Sequence, residues 1–219
     1  WSTVGHDDNT SIATIPPRGN PIIIAVGHTM EINADQQMQA SVEINGVLDF
    51  GKTVFHNLGN VYGTGKIILE STDCGCYVFP AGDYEQFLNT YGTEVELTGS
   101  NNSIMPVKPG NYSKPFNNLI LSGPGRKNMS ADDLGVKGRL EIKNGTTLSN
   151  SNHNRNIYIS GNWINENTAS NSFIAGTGTV FIAGTEAQNI NVTVQEKFYN
   201  LTMQNNAGLT ITNKPVEVM

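Results

Sequence analysis

Three small groups of side chains have the types that chemistry needs. Cys74 and Cys76 flank Gly75. A metal framework wants repeated C-x2-C spacings or paired histidines. Neither is present, since His6, His28, His56 and His153 are scattered, so no metal is expected. A C-x-C disulfide closes a very small, strained ring. A local disulfide between Cys74 and Cys76, or two free thiols, are both left open. The second group is Asp132-Asp133, followed by Arg139 and Lys143. Inverting hydrolysis of a glycosidic bond needs two carboxyls set apart across the substrate, with cations nearby. The rest of such a set is missing: a Gly-His dipeptide, Gly27-His28, runs on into Thr29 and lacks the glycine of a G-H-G element. Asp132-Asp133 is therefore read as a loop cap or a solvated pair. Asp73, Asp83 and Glu85 cluster near the cysteines. They are too few for a calcium cage and read as polar loop residues. The third group is aromatic. Tyr158 and Trp163 flank a turn, and Tyr62, Tyr84, Tyr91 and Tyr112 punctuate loops. Exposed rings of this kind stack on sugars. Tyr158 and Trp163 are the ligand-binding candidates, although an indole in a G-N-W phrase can equally pack on a corner of the fold. No catalytic set and no cofactor motif emerges.

The elements that carry these groups follow from composition and repeats. The chain has 219 residues, 28 of them Asn and 23 Gly. Only 15 % are charged, well under the roughly 25 % of an average globular chain. With 13 basic against 19 acidic residues, a phosphate-neutralising surface is excluded, and so is a nucleic-acid partner. The longest apolar run, Ile22-Ile23-Ile24-Ala25-Val26, is strand-sized, far short of a transmembrane helix. High Asn, Gly and Thr with few charges predicts many short strands joined by tight turns.

Two phrases recur. Gly63-Thr64-Gly65-Lys66-Ile67-Ile68-Leu69, Gly92-Thr93-Glu94-Val95-Glu96-Leu97 and Gly176-Thr177-Gly178-Thr179-Val180 share a G-T start and an alternating strand. Phe116-Asn117-Asn118-Leu119 and Phe198-Tyr199-Asn200-Leu201 both read F-x-N-L. A G-T phrase followed by an F-x-N-L phrase makes a longer unit, which recurs from Phe116 to Phe198. Further alternating segments lie at 41–46, 47–51, 139–145, 156–161, 189–193 and 208–213. Short strands at such close and regular spacing, nested in a longer repeating unit, are the rhythm of a solenoid coil. A sandwich shares the spacing but not the repeated phrases. The expected fold is all-β, a parallel β-helix (β-solenoid) of about nine coils with short loop excursions. Each strand pairs with its equivalent one coil on, at about 4.8 Å. Asn at the corners can hydrogen-bond the next coil, and Gly serves corners with positive φ.

One stretch reads as helix: Asp83-Tyr84-Glu85-Gln86-Phe87-Leu88-Asn89, with Asp83 as N-cap. Loops are expected at 108–115, 123–133 and 149–156. Residues 1–20, with Pro16-Pro17, read as an N-terminal cap in which Trp1 plugs the open end. Residues 21–219 form the repeats, which stop in mid-phrase at 215–219 and are expected to be cut from something longer. The chain begins at Trp1 without a signal-peptide pattern, so it reads as a mature or excised segment. N-x-S/T sequons at Asn111, Asn128, Asn144, Asn191 and Asn200 arise by chance in a chain this rich in Asn and Thr.

Several of these phrases carry a family resemblance. G-T-G-T-V at 176–180, F-Y-N-L-T at 198–202, L-E-I-K-N-G-T-T-L at 140–148, G-N-W at 161–163, V-G-H-T-M-E-I at 26–32 and G-V-L-D-F-G at 46–51 resemble large secreted repeat proteins of the Bacteroidetes. The resemblance runs roughly from residue 20 to 219. It implies a right-handed parallel β-helix exported by type IX secretion, adhesin-like and at the cell surface or outside the cell. The implied partners are surface glycans or secretion-system proteins. It implies no shared catalytic set, and the sorting domain of such proteins is not among these residues. The expected function is thus a non-enzymatic structural or adhesive segment. The alternative is a carbohydrate-binding or polysaccharide-degrading β-helix.

Overall fold

The computed structural model describes residues 21–32, 39–100, 102–106, 109–110 and 113–219. The expected cap at 1–20, with Trp1, lies outside the described residues, as do Asn111, Tyr112 and part of the loop at 108–115.

The alternating segments form short strands, because every second side chain is apolar and finds the same interior. All pairings between the described strands are parallel, and the strands stack as a β-solenoid of about nine turns with almost no helix. One nine-stranded sheet forms the spine. Its strands are Thr29–Glu31, Val47–Asp49, Lys66–Glu70, Glu94–Thr98, Asn118–Leu121, Leu140–Ile142, Trp163–Asn165, Gln188–Val192 and Leu209–Asn213. Shorter sheets form the other walls. One joins Ile22–Ile24, Val42–Ile44, Asn57–Tyr62 and Ala81–Asp83, and its counterpart further along joins Leu134–Val136, Ile157–Ile159, Thr179–Ile182 and Asn200–Met203. A third wall stacks Ser103–Ile104, Gly125–Asn128, Thr146–Ser149 and Phe173–Ile174.

Inward positions of the spine stack in register as Leu48, Ile67, Val95, Leu119, Leu140, Trp163, Ile190 and Ile211. All but the last are fully or almost fully buried. The steps between successive rungs are unequal in sequence, shortest from Leu48 to Ile67 and longest from Ile67 to Val95. The longest step holds Glu85–Asn89, the one helix among the described residues. Tyr84 rather than Asp83 occupies its cap position. Asp83 still contributes, since its Oδ1 accepts the Glu85 N–H at 3.0 Å. The stretch at 123–133 is not all loop, because it contains the strand Gly125–Asn128.

The repeated phrases mark neighbours, not a long period. In both places the F-x-N-L strand lies one coil beyond a G-T strand: Asn118 pairs with Glu94, and Asn200 pairs with Thr179. But the first pair belongs to the spine and the second to a side wall. The expected longer unit, from Phe116 to Phe198, therefore does not superpose coil on coil. Coil length varies from step to step, so one phrase lands on different walls.

Asparagine does what its position at the corners suggests. Side-chain oxygens of Asn45, Asn102, Asn118, Asn144, Asn154, Asn156 and Asn162 accept the backbone N–H of Thr64, Arg126, Arg139, Thr168, Thr177, Thr179 and Asn189, each one coil on. These rungs satisfy N–H groups that the sheets leave free at each bend. Gly is needed where the coils approach most closely: a Cβ on Gly65 would sit 2.1 Å from the Gly46 carbonyl oxygen. Asn118 is a two-sided rung, because its Nδ2 also donates to Thr93 O on the coil before, at 3.2 Å. Replacing Asn118 with alanine should cost about 1 kcal/mol in a denaturant titration. An unchanged midpoint would show that the rung carries no stability.

Candidate functional site

The outward face of the spine gathers the charged chemistry of the molecule. Strands Lys66–Glu70, Glu94–Thr98 and Leu140–Ile142 alternate, so Lys66, Glu94, Glu96 and Glu141 all point away from the core. Arg139, Lys143 and Glu166 flank the strand ends on the same face. Arg139 reaches back two coils. Its guanidinium contacts Glu94 Oε1 at 2.5 Å and Glu141 Oε2 at 3.1 Å. Lys143 contacts Glu141 Oε1 at 2.5 Å and Glu166 Oε2 at 3.3 Å. Lys66 pairs with Glu96, which also accepts from the Ser122 hydroxyl. The result is a belt of four carboxylates and three cations.

Register explains why like charges do not collide there. Coils stack at about 4.8 Å, close enough for like charges to repel. Ile120 lies between Glu96 and Glu141 in the ladder, and Ile68 and Ile164 flank those two. Apolar rungs thus hold Glu96 and Glu141 two coils apart, and cations fill the diagonals. Burial acts to raise the Glu141 carboxyl, but hydrogen bonds from Lys143 and Arg139 outweigh it and hold it below its usual range. Lys143 is raised in turn, chiefly by its bond to Glu141. A general acid for glycoside hydrolysis needs the opposite shift. Every carboxylate of the belt is engaged by a cation.

Further along the spine the belt becomes neutral. Asn189, Asn191, Thr210 and Thr212 occupy the same outward rows. Thr212 donates to Asn189 Oδ1 at 3.2 Å, and Asn213 Nδ2 to Asn191 Oδ1 at 2.5 Å.

The residues singled out in the sequence are dispersed. Asp133 serves as a corner rung, accepting the Asn156 N–H at 2.9 Å. Arg139 and Lys143 pair with glutamates of the belt. Tyr84 is buried and donates to Pro80 O, whereas Tyr91 is 93 % exposed. Tyr158 lies half-buried on a side wall, stacked on Phe181 of the next coil at 4.6 Å and 3°. Trp163 does not fit the ligand-binding role expected for it. It is an inward rung of the spine, 0 % exposed, with Phe173 and Phe198 edge-on at 4.8 and 5.1 Å. Tyr158 and Trp163 therefore belong to different walls and form no common site. Cys74 and Cys76 are joined in a local disulfide.

Two buried groups escaped the sequence reading. Glu196 accepts from Trp163 Nε1 at 3.1 Å and from Asn165 Nδ2 at 2.6 Å. Burial pushes its carboxyl up to about 6. Lys127 is fully buried, and its ammonium donates to Gly99 O at 2.7 Å, with Pro124 O and Gly123 O at 3.4 and 3.5 Å. Burial lowers it to about 8. The inward parity of Glu196 in the segment E-K-F was the available signal. Lys127 sat in a stretch that Pro and Gly marked as loop.

Among the described residues no group of three or more His, Cys, Asp or Glu is placed to hold a metal ion. No described helix is long and apolar enough to cross a membrane. The chain matches no family model, and no curated protein and no solved structure is significantly similar to it.

Proposed function

We propose that this chain is a structural or adhesive segment of a secreted or cell-surface β-solenoid, without catalytic activity of its own. The observation that carries the reading is the spine belt. Seven charged side chains converge there, yet each acid is matched to a cation, and the one with a shifted carboxyl, Glu141, is shifted towards permanent charge. Such a surface ties nearby coils together through paired charges. It does not supply a proton to a leaving group. The nine-stranded spine makes a spacer of about 38 Å at the usual strand separation.

A carbohydrate-binding reading is the second, favoured by the half-exposed Tyr158–Phe181 stack. Surface glycans and secretion-system proteins remain the partners to test. The purified chain should be incubated with a panel of insoluble and soluble polysaccharides, measuring bound protein and released saccharides. The expected result is no released product. Product formation that disappears in Glu141→Gln would overturn the non-enzymatic reading. Retention on one polysaccharide that is lost in Tyr158→Ala would move the conclusion to the second reading.

A further inference from the structure

The disulfide loop has features that a structural staple does not need. Cys74 and Cys76 enclose a single residue, a very short loop, for which the chain-entropy gain of a cross-link is small. The backbone holds the loop without it. Thr72 N–H donates to Cys76 O at 2.9 Å, and Gly75 N–H to Thr72 O at 2.9 Å. The loop also pairs with the edge strand Ser103–Ile104, through Ile104 N–H to Gly75 O at 2.9 Å and Tyr77 N–H to Ile104 O at 3.0 Å. Gly75 takes positive φ, +73°, which turns the chain between the two cysteines.

The two sulfurs differ in access and share one partner. Cys74 is exposed, and Cys76 is half-buried. The Thr72 hydroxyl oxygen lies 2.9 Å from Cys74 Sγ and 3.2 Å from Cys76 Sγ. It also lies 2.9 Å from Cys76 O, to which it donates. The hydroxyl can turn that proton to a sulfur that becomes a thiolate. Among the charged neighbours one cation faces two carboxylates: Lys52 Nζ is 3.3 Å from Asp73 and 3.8 Å from Glu70. The adjacent Tyr77 is buried and directs its hydroxyl to Thr98 O.

We propose that Cys74–Cys76 is a thiol–disulfide exchange site that accepts electrons from small external thiols while the solenoid stays folded. A thiolate of an external dithiol attacks the exposed Cys74 Sγ. A new S–S bond forms to Cys74, the Cys74–Cys76 bond breaks, and its electron pair leaves on Cys76 Sγ. The Thr72 hydroxyl donates to that thiolate as a positioning group. The second thiolate of the reductant then attacks its own bound sulfur and releases Cys74. The protein disulfide is reduced by two electrons, and the dithiol leaves as a cyclic disulfide.

The test uses the native chain and dithiothreitol, with alkylation and mass mapping at timed intervals. Both cysteines are expected to become alkylated while circular dichroism and amide protection of Ile104 are unchanged. Reduction only under unfolding conditions would overturn the proposal. The order of attack is read from single variants. Cys74 in Cys76→Ser should react with a chromogenic aryl disulfide at least tenfold faster than Cys76 in Cys74→Ser, and an equal or reversed order would overturn it. In the Cys74→Ser background, Thr72→Val should raise the pH midpoint of Cys76 thiolate absorbance, and Thr72→Ser should restore it. An unmoved midpoint would overturn the part given to Thr72.

Discussion

Replacing Trp163 with alanine will destabilise the protein by about 3–5 kcal/mol, read as a lower denaturation midpoint. The size follows from its place in the spine. The indole is the bulkiest inward rung, stacked between Leu140 and Ile190 and met edge-on by Phe173 and Phe198. Truncation removes the buried area and leaves a cavity that β-rungs fixed by register cannot collapse into. It also removes the Nε1–H donor to Glu196, leaving Asn165 as its remaining side-chain donor. Trp163→Phe separates the two contributions. It keeps most of the packing and loses the donor, so its cost should be smaller, about 1–3 kcal/mol. A ligand-binding indole would behave otherwise: alanine there would weaken binding and leave stability near that of the parent. A stability change within about 0.5 kcal/mol, the scale of ordinary surface substitutions, would contradict the core assignment.

Stability will also rise at neutral and alkaline pH when Glu196 becomes glutamine. The Glu196 carboxyl is raised by burial from 4.5 to about 6, against hydrogen bonds from Asn165, Trp163 and the Lys197 backbone. The folded protein therefore holds this proton more tightly than the unfolded chain does. The stability it contributes is fully present below pH 4.5 and is lost as pH rises through 6. The difference amounts to about 2 kcal/mol. Glutamine has no charge to bury, and its carbonyl oxygen can still accept from Trp163 and Asn165. The variant should thus exceed the parent by about 2 kcal/mol at pH 8 and match it near pH 4, in urea titrations at both values. Parallel curves across that range would show that Glu196 does not titrate inside the solenoid.

The fold was legible because the strands announce themselves. Alternation in Val47-Leu48-Asp49, Leu140-Glu141-Ile142 and Asn189-Ile190-Asn191-Val192 gives the inward parity directly, and the corner role of asparagine follows from its short amide. Which wall each strand joins was not legible. The two F-x-N-L phrases fall on different walls, since coils of unequal length shift the phase between them. The belt was hidden for the same reason. Arg139 and Glu94 lie far apart in sequence and meet only because two coils of unequal length intervene, a register that local spacing does not encode. Asp132-Asp133 was legible, since the pair read as a loop cap and Asp133 does cap a corner. G-N-W left Trp163 open between a sugar-stacking ring and a ring packed on a corner. The strand begins at Trp163 itself, which fixes its side chain inward.

A structural spine requires that its belt be a set of paired charges. Its most direct test is a carbon-13 titration of the Glu141 side-chain carboxyl in the folded protein. Held by Lys143 and Arg139, that carboxyl should titrate below its ordinary 4.5. The stability it lends would then be lost only as pH falls through that lowered value. A Glu141 carboxyl that titrates above 4.5 would be poised to donate a proton, and would contradict the reading of this face as structural.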